Sequence, residues 1–377
     1  MHRRRTALPL LAGILFLCIA LPGLSPFSVE ARAGDVEMLA PMQTAAFPSL
    51  ESAIRIKGPL RFCGEFVPLH LPEVRERLEK ELLLMLWDRA QVILWLKRTG
   101  RYFPHIETVL RAGNMPDDLK FIAVIESALK PGAGSHRGAR GVWQFIPSTA
   151  VNYGLTVDRF IDERRNFFFA TRAAMAYFKD LHGQFGSWTL ACAAYNMGEQ
   201  GLERRIEKQE VDDYYRLHLP VETQRYVLRA IAAKLLLSDP SRYGFDLHPE
   251  DYYTPRRFDR VKLRTKHPAP LTLVAKAAGT YYKLIRDLNP QFLGEAVPSG
   301  QHVLFLPEGS AREFAERYHP LMAKYRETLK PGTYVVQQGD SLTGIARQHG
   351  MSLAQLCRLN KLGRRATIHP GQKLLVR

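Results

Sequence analysis

The sequence predicts a mainly α-helical domain followed by two small α+β modules, and three observations carry that expectation. Apolar residues between Pro72 and Tyr243 recur at helical spacing, with few β-like runs. From Val261 onward, short β-rich runs alternate with helical ones. The last third also repeats itself. At an offset of 71 residues, Ala275 meets Ala346, Gly279 meets Gly350, Leu288 meets Leu359 and Asn289 meets Asn360. Gly300-Gln301 and Val303-Leu304 fall on Gly371-Gln372 and Leu374-Leu375 without a gap, as expected of a duplicated module.

The N-terminus reads as a secretory signal peptide over residues 1–33. Arg3-Arg4-Arg5 precede an apolar run from Leu8 to Leu21, and Ala31-Arg32-Ala33 supplies a small-x-small cleavage site. Pro9 and Pro22 leave the run short of the ~20 residues a membrane span prefers. An uncleaved anchor and lipid attachment at Cys18 are the alternatives. Phe16 and Leu17 count against the second, because lipoprotein signals share small residues just before the cysteine. Export to the periplasm or cell envelope follows, with association to the outer or inner membrane left open.

The 377 residues are 46% hydrophobic and 24% charged, ordinary for a globular protein. The net charge of +16 suits encounter with anionic wall polymers or lipid headgroups. Nucleic acid is not the expected partner, because the basic residues are scattered and form no nucleic-acid motif. Cys18, Cys63, Cys192 and Cys357 make no close pair, so neither a disulfide framework nor a zinc site is expected. The histidines show no metal-ligand spacing, and no cofactor or metal is expected. Nothing in the chain names a protein partner.

Residues 34–71 form a lead-in, with small residues and prolines but no clear periodicity to about residue 58. A helix starts at Pro72, with Val74, Leu78, Leu82, Met85, Leu86, Ile93 and Leu96 on one face, and stops at Thr99-Gly100. A second runs from Arg101 to Ala112. Pro116-Asp117-Asp118 then opens a helix from Leu119 to Leu129, with acids where the helix dipole favours them, and Lys130-Pro131-Gly132 ends it. Glu126 therefore sits in a last turn, where the negative helix end disfavours its anion and raises its pKa. After a Gly-rich loop from Pro131 to Arg140, helices are expected over Gln144–Asn152, Arg164–Leu181, Ser187–Asn196 and Glu222–Leu237. The helical domain spans 72–245.

Glu126 is flanked by Ile122, Ala123 and Ile125. A carboxylic acid protonates a leaving oxygen near neutral pH only when apolar burial lifts its pKa. Gln144, Tyr195 and Asn196 bring amides and a hydroxyl that could surround a polar ligand. Two-carboxylate glycosidases hold their acids roughly 5–9.5 Å apart. The candidates for a second acid are Asp158, Asp162, Glu163 and Glu222. Asp162-Glu163-Arg164-Arg165 alternates in charge like an ion-paired helix start. Trp143 and Phe145 taken alone read as core.

Ile125-Glu126-Ser127, Gly141-Val142-Trp143-Gln144-Phe145 and Ala193-Ala194-Tyr195-Asn196 follow one another in a telling order. Met115-Pro116-Asp117-Asp118-Leu119 precedes them and Leu219-Pro220-Val221-Glu222-Thr223 follows. This arrangement resembles the catalytic domain of the soluble-lytic-transglycosylase-like family, over about half of the chain. The resemblance implies a lysozyme-like fold of the goose type and a one-acid cleavage of peptidoglycan. Glu126 would protonate the bond between N-acetylmuramic acid and N-acetylglucosamine, then accept a proton from the muramyl C6 hydroxyl. Residue by residue, it implies that Ser127 supports the Glu126 loop and Gly141 permits close backbone approach. Gln144 would hydrogen-bond glycan, Tyr195 would position or polarise Glu126, and Asn196 would hold an N-acetyl or hydroxyl group. Glu222 and Tyr226 would face the cleft. The chain departs from the pattern at Val142-Trp143 and at Met197, which could narrow the site. A water-using muramidase on the same fold, or a catalytically inactive wall-binding protein, are the rival readings. Retention of Glu126, Gln144, Tyr195 and Asn196 speaks against the second only.

Tyr334-Val335-Val336, Gly339-Asp340-Ser341-Leu342 and Leu374-Leu375-Val376 resemble a LysM module, spanning 331–377. That resemblance implies a strand–helix–helix–strand fold that binds N-acetylglucosamine-containing glycans, here through Gly339, Asp340, Ser341, Leu342 and Asn360. The first copy, 258–308, has Pro268-Ala269-Pro270-Leu271 in place of the binding loop. It is expected to keep the fold and lose the sugar. Residues 309–330, with the run Arg312–Leu329, read as a charged connecting helix.

Overall fold

The computed structural model describes residues 48–363 and 365–376; the expected signal peptide, with Cys18, lies outside them. No helix among the described residues is long and apolar enough to cross a membrane.

The segment 48–71 is no mere lead-in. It holds a one-turn helix α1 (Leu50–Ala53) and a hairpin of β1 (Arg61–Phe62) and β2 (Glu65–Phe66). Phe62 is fully buried in the main core, and Cys63 and Val67 flank it there. Two long helices follow, α2 (Pro72–Trp87) and α3 (Arg89–Ala112). The break between them falls at Asp88, whose side chain accepts from Gln91 N at 3.1 Å, and not at Gly100. Gly100 lies inside α3. A Cβ there would stand 2.9 Å from Tyr252 Cβ and 3.0 Å from Tyr253 O, so the glycine admits a crossing chain and does not end the helix.

A 3-10 turn over Asp117–Leu119 precedes α4 (Lys120–Ser127). Asp118 is used by the hairpin, accepting from Cys63 N at 2.7 Å and from Lys234 Nζ at 2.8 Å. Ala128 and Leu129 end α4 in left-handed conformation, two residues before the expected stop. Such a conformation costs a non-glycine residue about 1–2 kcal/mol. Ala128 is held there by its amide on Val124 O and by Arg98 on its carbonyl.

Next come α5 (Pro147–Asn152), α6 (Phe167–Phe185), α7 (Trp188–Met197), α8 (Glu199–Gln209) and α9 (Val221–Ser238). Helix α7 is the domain's axis. Leu190 to Ala194 are all buried, and their small side chains let α6, α8 and α9 approach closely. Its N-terminus is capped by Glu65 of the hairpin, which accepts from Trp188 N and Thr189 N. Helix α8 went unanticipated because only Leu202 of its residues is buried, leaving too thin an apolar stripe to read.

The first module pairs β3 (Phe258–Thr265) with an antiparallel β6 (Gly300–Pro307), and β4 (Ala269–Pro270) with β5 (Ala296–Val297). Between the strands lie α10 (Leu271–Ala277) and α11 (Tyr282–Leu288). Helix α12 (Ala311–Leu329) follows; it is part of the module and no free linker. Phe314, Tyr318 and Met322 are buried in the module's core against α10. The second module has β7 (Gly332–Val335), α13 (Leu342–Gln348), α14 (Leu353–Leu359) and β8 (Lys373–Val376). Helices α10 and α13, and α11 and α14, stand 71 residues apart, as the repeat predicts.

Asn289 and Asn360 do the same task in each copy. Asn289 bonds Ile285 O, Phe305 O and Phe305 N, while Asn360 bonds Leu356 O, Leu375 O and Leu375 N. The reach to the last strand is 16 residues in one copy and 15 in the other. The gap-free alignment therefore slips by one residue there.

The first module is fastened to the helical domain. Asp162 N donates to Gln291 O at 2.8 Å, Asn166 Nδ2 donates to Gln291 Oε1 at 3.0 Å, and Phe168 stacks on Phe305.

Candidate active site

Helix α4 carries Glu126 to its last turn, and α9 crosses behind it. The Tyr226 hydroxyl donates to Glu126 Oε1 at 2.5 Å. Burial is the main influence on this carboxyl and lifts its pKa from the usual value to about 7. The Tyr226 hydrogen bond and the Arg229 charge oppose the rise, and Glu222 adds a smaller push upward. The expected influence of the helix end is thus overshadowed by desolvation. Arg229 also donates to Ile125 O at 3.3 Å and pairs with Glu222 at 2.8 Å, spanning the ends of α4 and α9.

Glu126 opens into a cleft of about 740 Å³ lined also by Gln144, Tyr195, Asn196, Met197 and Glu199. Gln144 adopts φ 49° and donates from Nε2 to Gly141 O at 2.7 Å, which leaves its amide oxygen for a ligand. Asn196 Oδ1 accepts from Thr223 Oγ1 at 2.8 Å; its Nδ2 has no partner among the described residues and is a ready donor.

Three expected roles change, and Ser127 keeps its supporting one. Tyr195 lies beside Glu126 in the cleft without a hydrogen bond to it; its hydroxyl donates to Trp143 O at 2.6 Å and its ring stacks on Phe178 at 4.4 Å. Tyr195 fastens the 141–145 loop, and Tyr226 holds the acid. Ser127 is buried, with Oγ donating to Val142 O at 2.8 Å, so it ties the same loop to α4 and is no part of the cleft wall. Gly141 makes room for protein and not for glycan: at φ 83°, a Cβ would fall 1.8 Å from Arg164 O. Glu222 is largely exposed beside the cleft and paired with Arg229.

The other acids are structural. Asp162 is buried and pairs with Arg164 at 2.8 Å. Asp158 accepts from the amides of Phe160 and Ile161, and Glu163 from Thr156 N. Trp143 is core, its indole N–H on Thr171. The residue missed by sequence reasoning is Glu199, in the cleft wall at the start of α8, which accepts from Tyr177 OH at 2.9 Å. Its only signal was its place three residues after Asn196.

In the second module, Gly339 adopts φ 91° and Asp340 Oδ2 accepts from Gln337 N and Tyr334 OH, both at 2.8 Å. Ser341 caps α13, and Leu342 is buried beneath it. These side chains shape a loop whose backbone faces outward. Asn360 is spent on the last strand, as described above. In the first module the equivalent stretch is zipped into the β4–β5 pair, so the loop is gone. Cys63, Cys192 and Cys357 are buried and free, and no cluster able to hold a metal occurs among the described residues.

A desolvated acid with a raised pKa opening into a cleft of about 740 Å³, on an α-helical domain followed by paired βααβ modules, defines a lysozyme-like wall-degrading architecture. The Transglycosylase SLT domain model matches residues 104–217, the LysM domain model matches 334–377, and the lytic transglycosylase MltD LysM-like domain model matches 257–323. The chain is 30% identical over 329 residues to membrane-bound lytic murein transglycosylase D of Escherichia coli K12, covering 84% of this chain and 72% of that protein. The corresponding protein of Escherichia coli O6:H1 gives the same figures. The chain belongs to the membrane-bound lytic murein transglycosylase D family.

Among solved structures, the 70 kDa soluble lytic transglycosylase of Escherichia coli aligns with a TM-score of 0.32 at 18% identity, over 37% of this chain and 24% of that one. An inactive variant of lytic transglycosylase Slt from Pseudomonas aeruginosa gives 0.30 at 18%, over 40% and 26%.

Proposed function

We propose that this chain is a peptidoglycan lytic transglycosylase acting through Glu126 alone. It cleaves the β-1,4 bond between N-acetylmuramic acid and N-acetylglucosamine without water and leaves 1,6-anhydromuramyl ends. The observation that carries the reading is the Glu126 carboxyl in its desolvated niche, with a pKa of about 7 and the Tyr226 hydroxyl on one oxygen. Such an acid is protonated often enough near neutral pH to donate, and its conjugate base is strong enough to take a proton back.

The step begins with transfer of the Glu126 proton to the glycosidic oxygen as the C1–O bond breaks. The substrate's own acetamido group stabilises the positive charge at C1. Glu126, now anionic and still held by Tyr226, takes the proton of the muramyl C6 hydroxyl as that oxygen closes on C1. Atoms balance with no water consumed. Gln144 and Asn196 offer an acceptor and a donor to the sugar, and Met197 narrows the cleft beside them. Of the candidate second carboxylates, Asp158, Asp162 and Glu163 are engaged in the fold and Glu222 is paired with Arg229, while Glu199 in the cleft wall is held by the Tyr177 hydroxyl.

The LysM module holds glycan through its Gly339–Leu342 loop, concentrating the enzyme on the wall. The first module keeps the fold without that loop. The N-terminal signal pattern and the membrane-bound relatives support export to the periplasm and attachment at the cell envelope.

Glu126→Gln keeps the side chain's shape and removes its titration. The variant is expected to sediment with insoluble peptidoglycan as the wild type does and to lose turbidity-clearing activity by at least about 10⁴-fold, since acid and base roles are lost together. Residual clearing within tenfold of wild type removes Glu126 from this role.

A further inference from the structure

Between the helical domain and the first module lies a second cavity of about 500 Å³, separate from the Glu126 cleft. Its walls are largely apolar, with Tyr102, Phe168 and Phe305 facing it from α3, α6 and β6. Pockets of this size and composition at a domain boundary are where small ligands bind. The rim is strongly basic: Arg101, Arg165, Arg256 and Arg286 line it. The one acid there, Asp287, is already taken by Lys283.

None of the four guanidiniums is saturated. Arg101 uses Nε on Thr254 O, and Arg165 uses Nε on Asp162. Arg256 uses one terminal nitrogen on Asp287 O, and Arg286 one on Phe292 O and Gly294 O. Each keeps terminal N–H donors without partners among the described residues. Four fixed, unsaturated guanidiniums around an apolar pocket fit a ligand with small apolar side chains and more than one carboxylate.

We propose that this cavity binds the peptide stem of peptidoglycan, its methyl side chains against the aromatic walls and its carboxylates on the arginine rim. The inference rests on the peptidoglycan reading above and extends it from the sugar strand to the attached peptide. Phosphate lipids share the charge, but a cavity of about 500 Å³ matches a short peptide better than a long acyl chain.

Pro131 lines the same cavity, five residues beyond Glu126 and on the loop that closes α4. Arg165 follows Arg164, whose carbonyl packs on Gly141. An occupied stem site would therefore hold the two segments that support the catalytic loop, and favour strands that still carry their peptides.

The test is calorimetric titration of the full chain with the synthetic stem tetrapeptide (L-alanine, γ-D-glutamate, diaminopimelate, D-alanine), its C-terminal amide, and decanoate. Saturable tetrapeptide binding is expected, weakened about tenfold in the amide and in Arg256→Gln and Arg101→Gln, each the loss of a charge-assisted hydrogen bond. Thermal melts check that both variants fold. Glu126→Gln and Asn196→Ala are expected to bind the tetrapeptide as wild type does, which places the site outside the catalytic cleft. Absence of saturable binding at millimolar peptide overturns the proposal. So does equal affinity in both arginine variants, or binding of decanoate alone. Tetrapeptide binding by a chain that proves unable to cleave peptidoglycan would sink the catalytic reading and leave this one standing.

Discussion

Tyr226 Oη and Glu126 Oε1 stand 2.5 Å apart, joining the second turn of α9 to the last turn of α4 through a hydrogen bond inside the protein. Burial pulls the carboxyl towards its neutral form, and this bond pulls it back towards the anion. The two effects hold one acid near pH 7, where a residue that must both give and take a proton works best.

Tyr226→Phe removes the hydrogen bond that favours the anion, so the Glu126 pKa rises further. Because the acid is active when protonated, the alkaline limb of the kcat/KM–pH profile, expected near pH 7 in the wild type, moves to higher pH. The plateau falls by about tenfold, because the anion formed after bond cleavage loses a donor. A profile unchanged in position would mean that Tyr226 serves packing alone.

Gly141→Ala tests the geometry of the catalytic loop. The added methyl would meet Arg164 O at 1.8 Å, in a backbone conformation that alanine resists. A loss of at least about 2 kcal/mol is expected, or roughly 4–8 °C in Tm for a domain of this size. A melt within about 1 °C of wild type would show that the loop can shift at little cost.

How much of this could be read in the chain depends on whether the information was local. Glu126 and its loop were legible because their motifs are short and ordered. The repeat was legible because a constant offset fixes α13 and α14 from α10 and α11. Which tyrosine meets Glu126 was not legible. Tyr195 and Tyr226 both belong to matching motifs, and only the crossing of α4 and α9 decides between them. Gly100 and Gly141 looked like a helix stop and a ligand approach, yet each serves a contact with a chain distant in sequence. The Phe62 hairpin was missed, and α12 was read as a helix but as a free connector, for the opposite reason. Their buried residues are too few to stand out from polar surroundings, and only the neighbouring core shows what they cover.

Asn360→Ala separates framework from contact in the LysM module. The side chain closes three hydrogen bonds, one to Leu356 O of α14 and two that hold Leu375 of the last strand. Its loss is expected to destabilise the module by about 1–3 kcal/mol, to speed hydrogen exchange at the Leu375 amide, and to weaken sedimentation with insoluble peptidoglycan as a consequence. Weaker sedimentation with unchanged Leu375 exchange would make Asn360 a direct glycan contact instead.

The most direct measurement is the mass of the muropeptides released from purified peptidoglycan by the wild-type chain. Closure of the C6 hydroxyl onto C1 predicts products lighter by one water than hydrolysis gives, with no new reducing ends. Products of hydrolytic mass that reduce with borohydride would leave Glu126 as the acid but contradict the transglycosylase account.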